Sequence, residues 1–134
     1  MRILITEDDP LIAMSLAMEL EYAGHEIIGP VGTIEEALQL ARLHRVELAL
    51  LDIDMQGPGD GVIIARHLRE MDIPSVFVSG QSGVAHDNSQ LAMGFIGKPF
   101  NPADIAGSIA VLDALIHGER PPPPPIPGAL YLFH

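Results

Sequence analysis

Four apolar runs in this chain each end on a residue able to do polar chemistry. Arg2–Thr6 leads into Glu7-Asp8-Asp9, and Glu47–Leu51 leads into Asp52, with Asp54 shortly after. Ser75–Val78 ends on Ser79, and Gly94–Gly97 ends on Lys98-Pro99-Phe100. Carboxylates can hold a hard cation and can attack a phosphoryl centre. A hydroxyl and an amine can neutralise the charge on the group being transferred. Two approaching carboxylates need a cation between them, so Asp8 and Asp52 together point to a metal as well as a nucleophile. Ser79 alone would be a turn residue, and Lys98 alone a solvated lysine. In register with Asp52 they become parts of one site.

The elements that position these groups follow from periodicity. The apolar runs are short and alternate with helical patterns, as in parallel strands buried on both faces. Their centres, near Leu4, Ile27, Leu50, Phe77 and Ile96, recur at about 25-residue intervals, the spacing of βα units. In such sheets the ligand site lies outside the carboxyl ends of the strands. The first helix is predicted to open at Asp9 as N-cap with Pro10 at its first position, and Ile12, Leu16 and Leu20 face the sheet. Gly24 is its terminator. Thr33-Ile34-Glu35-Glu36 is a capping box opening a second helix that buries Ala37, Leu40 and Ala41. A third starts at Asp60 or Gly61 and buries Ile64, Ala65 and Leu68. The last, capped by Asn101 with Pro102 following, runs to about His117 and buries Ile105, Ile109, Leu112 and Ile116.

The fourth helix is the weak one. Gly80, Gly83, His86-Asp87-Asn88-Ser89 and Gly94 suit turns better than helices. At most a stunted helix is expected, around Ser89 to Met93.

Bulk properties fit one compact domain. The 134 residues leave room for a single core, and 48% are hydrophobic, enough to fill it. No apolar stretch approaches the roughly 18 residues of a membrane helix, and Met1-Arg2-Ile3 already reads as a strand. The absence of cysteine excludes disulfides and thiolate metal sites and fits a cytoplasmic location. A net charge of −11 with only seven scattered basic residues argues against a nucleic-acid surface. The six histidines show no ligand spacing, so zinc is not expected.

Over residues 1–118 the ordered set Glu7-Asp8, Asp52, Ser79 and Lys98-Pro99-Phe100 resembles the receiver domain of bacterial two-component response regulators, the CheY-like family. The resemblance implies a doubly wound, five-stranded parallel sheet of order 2-1-3-4-5 with helices on both faces. It makes Glu7-Asp8 the acidic pair, Asp52 the phosphoacceptor, Ser79 the switch hydroxyl and Lys98 the lysine of the family's lysine motif. Phe95 takes the switch aromatic's position, or is ordinary core. Gly80, beside Ser79, leaves access to the phosphoryl group. Phe77, Ser79 and Gly80 further resemble the Pro-Phe-x-Phe-Ala-Thr-Gly motif of alphaproteobacterial single-domain receivers, from which Ser75 and Val78 depart.

The implied chemistry is Mg²⁺-dependent, with Mn²⁺ as a possible substitute. Asp8 and Asp52 supply side-chain ligands, the backbone carbonyl of Asp54 a third, and Glu7 acts through water. Asp52 takes a phosphoryl group from a sensor histidine kinase or a histidine phosphotransfer protein, and the product signals to a downstream protein. The only catalysis implied is self-phosphotransfer and slow autodephosphorylation. The Asp54 side chain would steer a water, bind metal-bound water or face solvent. The Asp52-Ile53-Asp54 triplet keeps a rival open, a haloacid-dehalogenase-like phosphatase using Asp52 and Asp54. A second rival is a receiver that binds protein without being phosphorylated.

Residues 119–134 read as a proline-rich tail with no output domain: Pro121 to Pro125 is a spacer leading to the apolar cluster Leu130-Tyr131-Leu132-Phe133. That cluster is expected to dock on its own receiver, on a second copy as a homodimer, or on a partner. The alternative is an inert frayed end.

Overall fold

The structure, a computed structural model, describes residues 1–118 and 126–133. The expected proline spacer at 121–125 lies outside the described residues. Strands β1 (Arg2–Thr6), β2 (Glu26–Val31), β3 (Leu48–Asp52), β4 (Ser75–Ser79) and β5 (Gly94–Gly97) alternate with helices α1 (Pro10–Tyr22), α2 (Ile34–Leu43), α3 (Asp60–Glu70), α4 (Ser82–Asp87) and α5 (Pro102–His117). A last strand, β6 (Leu130–Leu132), completes the sheet.

The sheet order is β2-β1-β3-β4-β5-β6. Its first five strands are parallel, in the order expected, and the fold is the flavodoxin-like doubly wound one. The expectation of five strands is corrected to six, because β6 pairs antiparallel with β5. The greasy end therefore docks on its own receiver, and does so by extending the sheet. Leu130 is buried there, a contribution of roughly 1.5–3 kcal/mol before the cost of ordering the segment.

Alternation along the strands fills two cores. Ile3, Ile5, Leu48, Leu50, Val76 and Val78 point to the face covered by α1 and α5, where Leu16, Leu20, Ile109 and Leu112 meet them. Leu4, Ala49, Leu51 and Phe77 point to the opposite face, against Ala37, Ala41, Ile64 and Leu68 of α2 and α3. Burial of both faces is why these strands read as continuous apolar runs.

The caps form as the sequence dictates. Asp9 Oδ1 accepts from Leu11 N at 2.9 Å and Ile12 N at 3.3 Å. Thr33 Oγ1 accepts from Glu36 N at 3.2 Å, and Asn101 Oδ1 accepts from Ala103 N at 3.1 Å. Beyond α1, Gly24 takes a φ of +96°, open to glycine at little cost. The fourth helix is short, as expected, but lies earlier than expected. It spans Ser82–Asp87, and Ser89–Leu91 forms only a 3₁₀ turn. Ala85, fully buried, anchors it to the core where the glycines around it could not.

Candidate phosphoryl-transfer site

Strand register puts the polar residues on one edge. Thr6 pairs with Leu51, so Glu7 comes level with Asp52. Asp52 pairs with Val78, and Ser79 pairs with Gly97. Glu7, Asp52, Ser79 and Lys98 therefore leave four strands at the same end of the sheet.

The carboxylates of Glu7, Asp8 and Asp52 each bring an oxygen within 4.8 Å of the others. Glu7 and Asp52 are 4% and 7% exposed, while Asp8 is open to solvent. Lys98 Nζ lies 2.6 Å from Glu7 Oε1 and 3.5 Å from Asp52 Oδ1. Burial pushes the Asp52 carboxyl up to about 7, helped by a hydrogen bond and the charge of Glu7 and by the charge of Asp8, against the pull of Lys98. Burial works against the charge on Lys98, but Glu7 and Asp52 together outweigh it and raise its pKa. One ammonium faces three carboxylates, a donor set of hard oxygens in excess of the positive charge that balances it. That is an environment suited to a small divalent cation.

Ser79 sits at the end of β4, buried, and its Oγ accepts from Gln81 N at 2.9 Å. The hydroxyl proton is thus left to donate. Gly80 is exposed, and a Cβ there would meet only the Lys98 carbonyl, at 3.9 Å. No packing demand calls for a glycine at this place. Phe95 is half-buried on β5, next to the C-terminal strand rather than in the acidic pocket.

The Asp54 side chain is held by two hydrogen bonds beside the site. Oδ1 accepts from Gly59 N at 2.8 Å, and Oδ2 accepts from the Gln81 side-chain amide. These bonds tie the loop after β3 to the start of α4.

Two residues of the site were not singled out from the sequence. Gln81 is the bridge just described. Gly61 packs the first turn of α3 against β3: a Cβ there would stand 2.1 Å from the Asp52 carbonyl oxygen, and Gly61 N donates to Ile53 O at 2.8 Å. The run Gly57-Pro58-Gly59-Asp60-Gly61 marks a turn, but nothing in it says which glycine bears the close approach.

Comparison with known proteins gives a consistent family. Residues 3–110 match the family model of the response regulator receiver domain. The transcriptional regulatory protein PdtaR of Mycobacterium tuberculosis is 35% identical over 112 residues, 81% of this chain and 54% of PdtaR. The phyllosphere-induced regulator PhyR of Methylorubrum extorquens is 33% identical over 112 residues, 81% of this chain and 42% of PhyR. The chain thus spans about half the length of these curated relatives. Among solved structures, the response regulator TrrA of Thermotoga maritima, in complex with Mg²⁺-BeF, superposes with a TM-score of 0.67 at 32% identity, covering 75% of this chain and 88% of TrrA.

Proposed function

The chain belongs to the response regulator receiver domain family, and we propose that its receiver, residues 1–118, takes a phosphoryl group onto Asp52 in a Mg²⁺-dependent reaction. The observation that carries this reading is the meeting of Asp52 with Glu7, Asp8 and Lys98 at one sheet edge.

Asp8 and Asp52 are the side chains that would hold Mg²⁺, with Mn²⁺ as a substitute, together with the Asp54 carbonyl and with Glu7 through water. The bound cation would supply charge neutralisation between the carboxylates and the incoming phosphoryl oxygens. The chain's own groups do the rest. An Asp52 oxygen attacks phosphorus in the phosphohistidine of a sensor kinase or phosphotransfer protein. The new P–O bond forms as the P–N bond breaks, and the imidazole leaves with the electron pair. Lys98 swings from Glu7 toward a phosphoryl oxygen, and the Ser79 proton is donated to another. Gly80 keeps the approach open. The reaction is a self-phosphorylation followed by slow loss of the group to water, not turnover of a substrate.

The partners are a histidine-containing phosphodonor and a downstream protein, met in the cytoplasm. Among the described residues no helix is long and apolar enough to cross a membrane. The alphaproteobacterial subfamily reading rests on Phe77, Ser79 and Gly80. Transfer from a panel of purified, phosphorylated histidine kinases and phosphotransfer proteins tests the proposal. One donor should label the chain far faster than the rest, only with Mg²⁺ present, and label that survives Asp52→Asn would refute it.

A further inference from the structure

The edge of β5 is covered by the chain's own β6, and several features are matched to that cover. Phe133 N donates to Met93 O at 2.8 Å, and Gly97 N donates to Ala129 O at 3.1 Å. A Cβ on Gly94 would stand 2.1 Å from the Tyr131 carbonyl oxygen, so no side chain at 94 is compatible with β6 in place. On α5, Gly107 leaves space that Pro127 fills: a Cβ there would stand 3.2 Å from the proline Cγ.

The same segment grips the fourth helix. The His86 ring lies edge-on to Tyr131 at 4.8 Å, to Phe95 at 5.3 Å and to Phe133 at 5.5 Å. Phe95 stacks on Tyr131 at 5.6 Å. A six-residue helix without a side-chain cap is thereby clamped between the C-terminal strand and the end of β4. Its other end is bound to the acidic site: Ser79 Oγ accepts from Gln81 N, and the Gln81 amide bonds Asp54.

We propose that residues 126–133 form a strap that closes the β5 edge in the unphosphorylated protein and is released when Asp52 is phosphorylated. The proposal rests on the phosphoacceptor reading above. When Ser79 donates its free proton to a phosphoryl group on Asp52, its Oγ moves toward that group and draws Gln81 N, bonded to the same oxygen, with it. The short helix then shifts, and His86 no longer meets its three aromatic partners. With those contacts gone, the segment loses both of its ring contacts to the fourth helix and is held by its backbone bonds, Leu130, the Phe95–Tyr131 stack and Pro127 against Gly107. Release bares a sheet edge with unpaired N–H and C=O groups, which accepts an extended segment of a target protein. Coupling of this kind is reciprocal: whatever opens the strap must also favour phosphorylation.

Hydrogen exchange on the full chain, with and without acetyl phosphate and Mg²⁺, tests this, with intact mass reading the phosphoryl group in the same samples. Molecules that carry the group should lose protection at Phe133 and Gly97 amides. Gly94→Ala should lose it without phosphorylation, and should bind Mg²⁺-BeF, a mimic of the phosphoryl group, on the order of fivefold to tenfold more tightly. Tyr131→Ala, which leaves the backbone pairing intact, should shift both readings in the same direction by less. Unchanged protection in phosphorylated molecules, or an open strap with an unchanged affinity for Mg²⁺-BeF, overturns the strap. Absence of any phosphoryl group instead overturns the phosphoacceptor reading, and the strap falls with it.

Discussion

Lys98 Nζ and Glu7 Oε1 stand 2.6 Å apart, an ion pair across 91 positions that joins the end of β1 to the end of β5. The Glu7 side chain in this pair is almost fully buried. Its partner is therefore what allows the acidic edge to exist at neutral pH without a metal.

Lys98→Ala should expose that dependence. Removing one member of a buried pair leaves an uncompensated charge, so the variant should lose about 1–3 kcal/mol at pH 8. At pH 5 the Asp52 carboxyl, raised to about 7, is protonated, and the loss should shrink. Urea unfolding at the two pH values, in the absence of divalent cations, measures both.

The Asp52 carboxyl gives the pH dependence its sign. Its pKa stands at about 7 in the fold against an ordinary 3.8, so the folded chain holds this proton more tightly than the unfolded one. The stability it contributes is complete below about 3.8 and is lost as pH rises through about 7. Asp52→Asn removes the ionisation. Without metal it should match the parent below about pH 3.8, exceed it increasingly as pH rises toward about 7, and gain nothing further above that. Mg²⁺ should reverse the order at pH 8.5 by stabilising only the parent.

Metal affinity should depend on Asp8, the one solvent-open acid of the cluster. Asp8→Asn should weaken Mg²⁺ by roughly tenfold or more, since it removes one of the carboxylates on which such sites depend. A thermal shift titration reads this: the parent melts higher with Mg²⁺, and the variant should respond only at much higher concentration.

Gly61 predicts a different kind of failure. A methyl at this place meets the Asp52 carbonyl oxygen at 2.1 Å, so Gly61→Ala must push α3 off β3. A loss of about 1–3 kcal/mol is expected, with slower phosphorylation because the nucleophile's own backbone is displaced. Gly80→Ala has open space around it and should cost little stability, which makes the pair a control for each other.

Strand and helix positions were readable because doubly buried strands are continuous apolar runs and because Asp9, Thr33 and Asn101 announce helix starts. The site was readable for the same reason: each polar residue directly follows such a run. What was not readable came from contacts distant in sequence. Ala85 fixes the fourth helix from a stretch of turn-formers. Asp54 spends its oxygens on Gly59 and Gln81, and β6 needs Gly94 opposite it, pairings that no local pattern encodes. Leu130-Tyr131-Leu132-Phe133 signalled docking through its apolarity, but three residues are too few for periodicity to distinguish a strand from any other docked segment.

The most direct measurement is intact-mass analysis of the chain after incubation with acetyl phosphate and Mg²⁺, followed by mapping of the modified residue. The account predicts a single base-labile phosphoryl group on Asp52, absent in Asp52→Asn and absent when the divalent cation is chelated. A parent protein that stays unmodified, or an Asp52→Asn protein labelled to the same extent, would contradict it.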